Sequence, residues 1–297
     1  MTATRLIYTI LLLFLALPVQ AADILIVQSM RVKAYDAVAD GFRSAVGRKC
    51  DQVALSDLDG EDVTRTLKGY RSRLILAIGV DALREVMRIK DVPILYTMVL
   101  NPETKIAETA NVSGVGMNIP PERQLAFMKQ VLPRLRKVGL LYDPTKTGAL
   151  ARRAVRAAET LDLEIVTREV RRPREVPGLI DGLKGAVQLF WLLPDPTVVT
   201  PQTLEYLPLV AVESRVSFAA FSDQYLKNGA LLSIGIDPVD IGRQAAELAE
   251  RVLAGTAPRN VPPLEPRRVK INLNTKVARQ LGIVVNRLSE ADVVIHQ

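Results

Sequence analysis

Leu74-Ile-Leu-Ala-Ile-Gly79, followed by a helical pattern over residues 81–89, is the stretch of sequence that decides the fold. A short run made only of apolar residues predicts a strand that is buried on both faces. Such strands, each followed by a helix, are typical of a parallel sheet covered by helices on both sides. The stretch therefore predicts one βα unit of an α/β protein.

The same unit recurs on both sides of this stretch. Strands are predicted over residues 23–29, upstream of it, and over residues 93–99, downstream of it. A helix is predicted over residues 35–46 because Val38, Phe42 and Val46 repeat at spacing four. A second series then begins. Its predicted strands cover residues 138–143, 164–170, 186–193, 209–213 and 230–236. Its predicted helices cover residues 147–161, 177–183 and 238–253, with a further helix opened by Thr200-Pro201.

Two βα series predict two doubly wound, parallel-sheet lobes. Residues 111–121 and 255–266 are rich in Gly, Asn and Pro, which is typical of extended segments that cross between lobes and act as a hinge. We assign residues 22–117 plus 238–258 to lobe 1 and residues 118–237 plus 266–297 to lobe 2. Residues 259–265 form a crossing segment in this assignment.

The first 21 residues have the pattern of a signal peptide. Arg5 precedes an apolar run over residues 6–17, and Pro18 and Val19-Gln20-Ala21 follow it, with small residues where a signal peptidase cleaves. The alternative is a membrane anchor, but a spanning helix needs roughly 18–20 apolar residues. We therefore expect cleavage after Ala21 and a protein of the bacterial periplasm.

The composition restricts the function classes. With a hydrophobic fraction of 48% the chain can build packed cores, and with Cys50 alone it can form no intrachain disulfide. The net charge of +7 comes largely from arginines between residues 152 and 174, a pattern we interpret as a solvated helix face and the loop after it. No alternation of basic and aromatic residues indicates nucleic acid, so no nucleic-acid partner is expected.

The sequence gives little support to catalysis. The single histidine, His296, is the penultimate residue, and one His with one Cys does not make a usual zinc site. Neither a phosphate-binding loop nor a nucleophile-elbow motif is present. We therefore expect no enzyme, no catalytic residue, no metal site and no cofactor. A hydrolase or transferase that uses Asp or Glu is the alternative left open.

The candidate ligand residues all lie where predicted strands end, because ligands of open α/β sheets bind beyond the carboxyl ends of the strands. They are Gln28, Ser29, Val80, Asp81, Thr97 and Asn101 in the first lobe, and Asp143, Asp195, Glu213 and Asp237 in the second. The aspartates before helices have an alternative role as N-caps. Glu213 is the first choice for a ligand cation, since it follows the apolar residues 209–212 and should emerge directly from the predicted strand. The alternative is an internal ion pair with Arg215 or another arginine.

Several longer segments carry a family resemblance. They are Lys137-Val-Gly-Leu-Leu-Tyr-Asp-Pro144, Asn228-Gly-Ala-Leu-Leu-Ser-Ile-Gly235 and Asp240-Ile-Gly-Arg-Gln-Ala-Ala246. With them the chain resembles the ABC transporter substrate-binding proteins related to tryptophan- and tyrosine-type amino-acid binders. The resemblance implies a periplasmic-binding-protein-like fold with three interlobe crossings. It also implies a small-molecule ligand bound in the interlobe cleft and an ABC permease of the inner membrane as partner, and we expect a monomer.

The resemblance leaves one alternative function and shows one departure. A protein of this kind can also report ligand occupancy to a membrane signalling receptor. After the strand that ends at Gly79, such proteins usually place Thr or Ser to bind a ligand carboxylate, whereas this chain has Val80-Asp81. The aromatic residues nearest the predicted edges are Tyr96, Trp191 and Phe221, for which we expect core packing.

Overall fold

The computed structural model of the chain describes residues 22–58, 62–102, 106, 111–286 and 293–296. The predicted signal peptide lies outside the described residues. The chain divides into two compact units. Unit 1 contains the residues up to Val115 together with Gly242–Pro263, and unit 2 contains Gly116–Ile241 together with the residues from Leu264. The chain thus passes from one unit to the other three times.

Unit 1 is built on a parallel five-stranded sheet with the order β2-β1-β3-β4-β5. Its strands are β1 (Ile24–Gln28), β2 (Cys50–Ala54), β3 (Leu74–Ile78), β4 (Ile94–Thr97) and β5 (Val112–Gly114). Its helices are α1 (Lys33–Val46), α2 (Val63–Gly69) and α3 (Val80–Val86). Every residue of β1, β3 and β4 is buried, as expected for central strands covered on both faces.

Unit 2 is built on a seven-stranded sheet with the order β12-β11-β10-β9-β8-β6-β7. The strands are β6 (Lys137–Tyr142), β7 (Glu164–Glu169), β8 (Leu189–Trp191), β9 (Ser217–Ala220), β10 (Leu232–Ile236), β11 (Val269–Asn274) and β12 (Val293–His296). The helices are α4 (Pro121–Val131), α5 (Gly148–Glu159), α6 (Val176–Asp181), α7 (Pro201–Ser214) and α9 (Thr275–Leu281). Only the β10–β11 pairing is antiparallel among the described strands, so β11 begins where β10 ends.

One helix belongs to both units. Helix α8 (Pro238–Leu253) begins in unit 2 and continues in unit 1 from Gly242 onwards. A Cβ atom at Gly242 would collide with the carbonyl oxygen of Val38 and the backbone nitrogen of Phe42, both in α1. Glycine at this position therefore lets the backbones of α8 and α1 touch within unit 1.

The predicted fold class is confirmed: two mostly parallel sheets carry helices on both sides. The strand predicted over residues 209–213 is wrong, because these residues form the last turns of α7. Leu207, Val210 and Ala211 are buried while Leu209 and Val212 are 59% and 78% exposed, which is the period of a helix and not of a strand. The strand of this region is β9, a few residues later. Among the described residues no helix is long and apolar enough to span a membrane.

Candidate functional site

The carboxyl edge of the unit 1 sheet brings together three residues from neighbouring strands. Gln28 at the end of β1 pairs with Ile78 of β3, and Ile78 pairs with Thr97 of β4. Residues paired across strands project to the same face of a sheet. Gln28 and Thr97 therefore flank Ile78 at one level, on the same face and at the edge where ligands of such sheets bind.

Gln28 and Thr97 are buried, and each has one polar side-chain atom that makes no hydrogen bond with a described residue. Both residues have an exposed fraction of 0%. Gln28 donates through Nε2 to Asp36 Oδ1 of α1 at 3.2 Å, but its Oε1 atom has no hydrogen-bond partner among the described residues. The Oγ1 atom of Thr97 has none either. An unsatisfied buried polar atom destabilises a fold by about 1–3 kcal/mol, so each needs an explanation.

Ser29 follows β1 and has a structural contact. Its hydroxyl accepts the backbone N–H of Ala82 at 2.9 Å and so ties the start of α3 to the end of β1. Between them, Gly79 has a φ of 97°, and a Cβ atom there would lie 2.5 Å from Ser29 Oγ and 2.7 Å from the Tyr35 hydroxyl. Only glycine fits this approach.

Tyr35 is the edge residue that the sequence analysis did not select. It was assigned to the start of a helix and indeed lies in the first turn of α1, half-buried, with its ring against the backbone of Gly79. Burial, and then the nearby charge of Asp81, raise the pKa of its phenol. The available signal was its place soon after the end of β1, within reach of the carboxyl edge. Tyr35 is a half-exposed aromatic ring beside the polar edge.

Val80, Asp81 and Asn101 complete the predicted set in unit 1. Val80 and Asp81 form the first turn of α3, and Asp81 accepts from Arg84 at 2.9 Å. The side chain of Asp81 is 51% exposed, so this ion pair is solvated. Asn101 lies beyond the end of β4 with a φ of 47°, a left-handed conformation that asparagine tolerates better than most residues.

In unit 2, Asp143 and Asp195 lie beyond the ends of β6 and β8 and organise two turns. Asp143 Oδ1 accepts the backbone N–H of Thr145 at 2.9 Å and its hydroxyl at 2.7 Å, and Oδ2 accepts the hydroxyl of Thr197 at 2.7 Å. These hydrogen bonds from Thr145 and Thr197 lower the pKa of Asp143 below its ordinary value. Lys146 lies 3.9 Å from the same carboxylate.

The carboxylate of Asp195 also accepts hydrogen bonds from these two turns. Its Oδ2 atom accepts the backbone N–H of Asp143 at 2.7 Å and the hydroxyl of Thr147 at 2.5 Å, and Oδ1 accepts the backbone N–H of Thr197 at 2.9 Å. The carboxylates of Asp143 and Asp195 therefore accept hydrogen bonds from other groups of the protein. Their part in ligand binding stays a prediction, and these contacts favour the structural alternative.

Asp237 caps α8. Its Oδ1 atom accepts the backbone N–H of Val239 at 3.1 Å and lies 3.4 Å from Nζ of Lys270, at the start of β11. The N-cap role that the sequence left open for this residue is therefore present. Because Lys270 comes from the antiparallel strand, the carboxyl edge of unit 2 contains a cation as well as carboxylates.

The position of Glu213 corrects its assignment to the strand ends. It lies in the last turn of α7, and the carboxylate accepts from Lys184 at 3.1 Å. Its side chain is 66% exposed. Helix α7 leads into β9, so Glu213 lies at the amino edge of the sheet, not at the carboxyl edge. The internal ion pair that the sequence left as the alternative is therefore present, although its partner is Lys184 and not an arginine.

Aromatic residues are divided between core and edge. Tyr96 and Trp191 are each 1% exposed and belong to apolar clusters, as expected for core packing. Phe221 is different: it is half-buried just after β9 and packs edge-to-face on Tyr225, with ring centroids 5.1 Å apart. Unit 2 thus has its own aromatic pair at the carboxyl edge. No group of three metal-binding side chains occurs in the described part of the chain.

A family model described as ABC transporter substrate binding protein matches residues 31–294. The chain belongs to this family. A tyrosine-binding protein of Clostridioides difficile is 26% identical over 202 residues, which is 65% of this chain and 58% of that protein. An uncharacterised Rickettsia prowazekii protein is 22% identical over 146 residues. This chain therefore spans about half of the length of the curated relatives that it matches.

Solved structures show the same fold. A ligand-free, open structure of a Clostridium difficile substrate-binding protein with adhesive properties aligns with a TM-score of 0.73 at 20% identity, covering 92% of this chain and 98% of the other. A Streptococcus pneumonia ABC domain in complex with L-Trp aligns with a TM-score of 0.61 at 20% identity, covering 92% and 99%. At this identity the likeness establishes the two-lobed α/β fold of periplasmic binding proteins.

Proposed function

We propose that this substrate-binding protein captures an amino acid and delivers it to an ABC permease, without catalysing a covalent reaction. The observation that carries the proposal is a pair of buried atoms at the carboxyl edge of unit 1, Gln28 Oε1 and Thr97 Oγ1, for which the described residues provide no hydrogen-bond partner. A polar ligand supplies what they lack, because an amino acid carries both donors and acceptors on a small framework.

The ligand class has two further supports. Tyr35 and the Phe221–Tyr225 pair place aromatic rings at the carboxyl edges of units 1 and 2, where rings can pack on an apolar or aromatic side chain. The relative from Clostridioides difficile is named as a tyrosine-binding protein. An aromatic amino acid is therefore the first ligand to test.

A thermal-shift screen tests the ligand class. Ligand that binds only the folded state, at about 100 times its Kd, stabilises it by about 2.7 kcal/mol. The proteinogenic amino acids are compared with small dicarboxylates, nucleobases and sugars. We expect an amino acid to give the largest rise in the unfolding midpoint. A larger and saturable rise with a sugar or nucleobase would contradict the proposed ligand class.

Export is the second part of the proposal. Cleavage after Ala21 would release a protein that begins at Ala22, in the compartment where an importer collects its solute. Intact mass of the protein recovered from the periplasmic fraction tests this directly. We expect the mass of a chain that starts within a residue or two of Ala22, whereas retention of the leader would favour a tethered protein.

A further inference from the structure

A second concave surface lies at the opposite edge of the unit 2 sheet. It is a cavity of about 310 Å³. The residues around it come from the connections that lead into β6, β8, β9 and β10 and from the segment after α9, so it lies where the strands begin. The carboxyl edge with Asp143, Asp195 and Asp237 is at the other end of these strands. This amino-edge pocket, as we name it, is thus separate from the proposed amino-acid site.

The walls of the amino-edge pocket are apolar. Leu132, Leu135, Leu189 and Leu231 line it, and all four are buried members of one core cluster of unit 2. Val284, after α9, also lines it and is 50% exposed. Ligand pockets have volumes of roughly 300–1,000 Å³ and mainly hydrophobic linings, so this one is of the size for a small metabolite.

The charged side chains among the described residues of the pocket lining are all positive. Arg134 and Arg215 are exposed lining residues, and within the described part of the chain neither guanidinium has a hydrogen-bond or ion-pair partner. None of the described lining residues is acidic. The nearest acid in sequence, Glu213, is held by Lys184 at 3.1 Å. Two unpaired guanidinium groups beside an apolar wall suit a carboxylate that carries an apolar body.

Ser217 is a buried residue next to the lining of the amino-edge pocket. It is the first residue of β9, follows the lining residue Val216, and pairs across the sheet with the lining residue Leu189. Paired residues project to the same face. Its exposed fraction is 0%, and its hydroxyl has no hydrogen-bond partner among the described residues. Ser217 itself does not line the pocket, so its hydroxyl is a polar atom beside the pocket wall that no described residue uses.

We propose that the amino-edge pocket binds a small amphipathic monocarboxylate, with its apolar body against the leucines and its carboxylate at Arg134 and Arg215. This site is additional to amino-acid capture and does not depend on it. A fully apolar ligand would leave both guanidinium groups unused, and a polyol or free amino acid would place polar atoms against leucine side chains.

Calorimetric titration with octanoate tests the proposal, with 1-octanol as the uncharged probe of equal chain length. We expect saturable binding of one octanoate per chain and at least tenfold weaker binding of 1-octanol. Lack of saturation by octanoate up to about 10 mM, or equal affinity for both probes, would overturn the proposal. An amino-acid ligand confirmed separately remains unaffected by either outcome, since it is assigned to another edge.

Two matched variants test whether octanoate binds in the amino-edge pocket. Val284→Glu adds a negative charge at the half-exposed rim, and Val155→Glu adds the same charge at α5, where Val155 is 37% exposed and outside the lining. We expect Val284→Glu to weaken octanoate binding at least tenfold and Arg134→Gln to weaken it at least threefold. Val155→Glu should leave octanoate binding unchanged. Equal unfolding midpoints show that the variants are folded. Binding unchanged in Val284→Glu would place octanoate elsewhere and overturn the assignment.

Discussion

Asp195 accepts the backbone N–H of Asp143 through Oδ2 at 2.7 Å. This bond joins the turns that follow β6 and β8, two neighbouring strands of the unit 2 sheet. Because Asp195 also accepts hydrogen bonds from Thr147 and Thr197, a single buried carboxylate ties these two turns together. These contacts predict a contribution of Asp195 to stability, and its part in ligand binding stays a prediction.

The first prediction concerns this carboxylate. Asp195→Ala removes three hydrogen bonds and leaves two backbone N–H groups without their acceptor, so we expect a loss of about 3 kcal/mol in the free energy of unfolding. Urea unfolding measures it. Glu159→Ala, an exposed position at the end of α5, is the control and should change stability by less than about 0.5 kcal/mol. Equal effects of the two substitutions would contradict the structural role of Asp195.

The second prediction concerns pH. Hydrogen bonds from Thr145 and Thr197 lower the pKa of Asp143 in the folded protein. The charged form is thus favoured by folding: its stabilisation is fully present above the ordinary aspartate pKa of about 3.9 and is lost as the pH falls through the lower folded value. Asp143→Asn should destabilise the protein at pH 7, and the difference from the unsubstituted protein should shrink as the pH falls below the ordinary aspartate pKa. A constant difference in urea unfolding across this range would contradict the assignment.

The third prediction concerns the packing of Tyr35. Gly79→Ala places a methyl group against Ser29 and Tyr35 at a φ of 97°, so we expect a loss of at least about 2 kcal/mol. Gly178→Ala is the matched control, because Gly178 lies in α6 with nothing within 4 Å of a Cβ atom, and alanine favours helix there. Thermal unfolding compares the two. If Gly79→Ala were as well tolerated as Gly178→Ala, the close approach of Tyr35 would be wrong.

The fourth prediction concerns Glu213. The pair with Lys184 is exposed. The hydrogen bonds that Lys184 donates to Asp181 and Glu213 raise its pKa, so the amine stays charged throughout the ordinary pH range. Exposed pairs of this kind contribute about 0–1 kcal/mol. Glu213→Gln should leave amino-acid affinity within twofold of the unsubstituted protein in calorimetric titration. A tenfold loss would restore Glu213 as a ligand residue.

The sequence predicted the central strands well because their burial on two faces leaves a continuous apolar run, as in β1, β3 and β4. It missed β2, Cys50-Asp-Gln-Val-Ala54, whose first three residues are only half-buried at the edge of the unit 1 sheet. It misread residues 209–213 because Leu-Val-Ala-Val after Pro208 has the composition of a strand. Exposure of Leu209 and Val212 on one side of α7 depends on tertiary packing, which short apolar runs do not encode.

The candidate site was only partly predictable for a similar reason. Positions beyond strand ends follow from topology, so Gln28, Thr97 and Asp195 were selected correctly as edge residues. Which of them keeps a polar atom unused depends on side-chain contacts from other elements: Thr147 and Thr197 occupy Asp195, whereas nothing described occupies Thr97 Oγ1. Tyr35 was missed because its contact with Gly79 joins residues far apart in the chain.

The most direct measurement is calorimetric titration of the purified protein with amino acids, L-tyrosine first, comparing Thr97→Val with Ser217→Ala. Both substitutions remove a buried hydroxyl that no described residue uses, one at the carboxyl edge of unit 1 and one at the amino edge of unit 2, so both should leave the fold intact. We predict saturable binding of one amino acid per chain, weakened at least tenfold, about 1.4 kcal/mol, by Thr97→Val and unchanged by Ser217→Ala. Absence of saturable binding by any amino acid, or equal affinity in Thr97→Val and the unsubstituted protein, would contradict amino-acid capture at this edge.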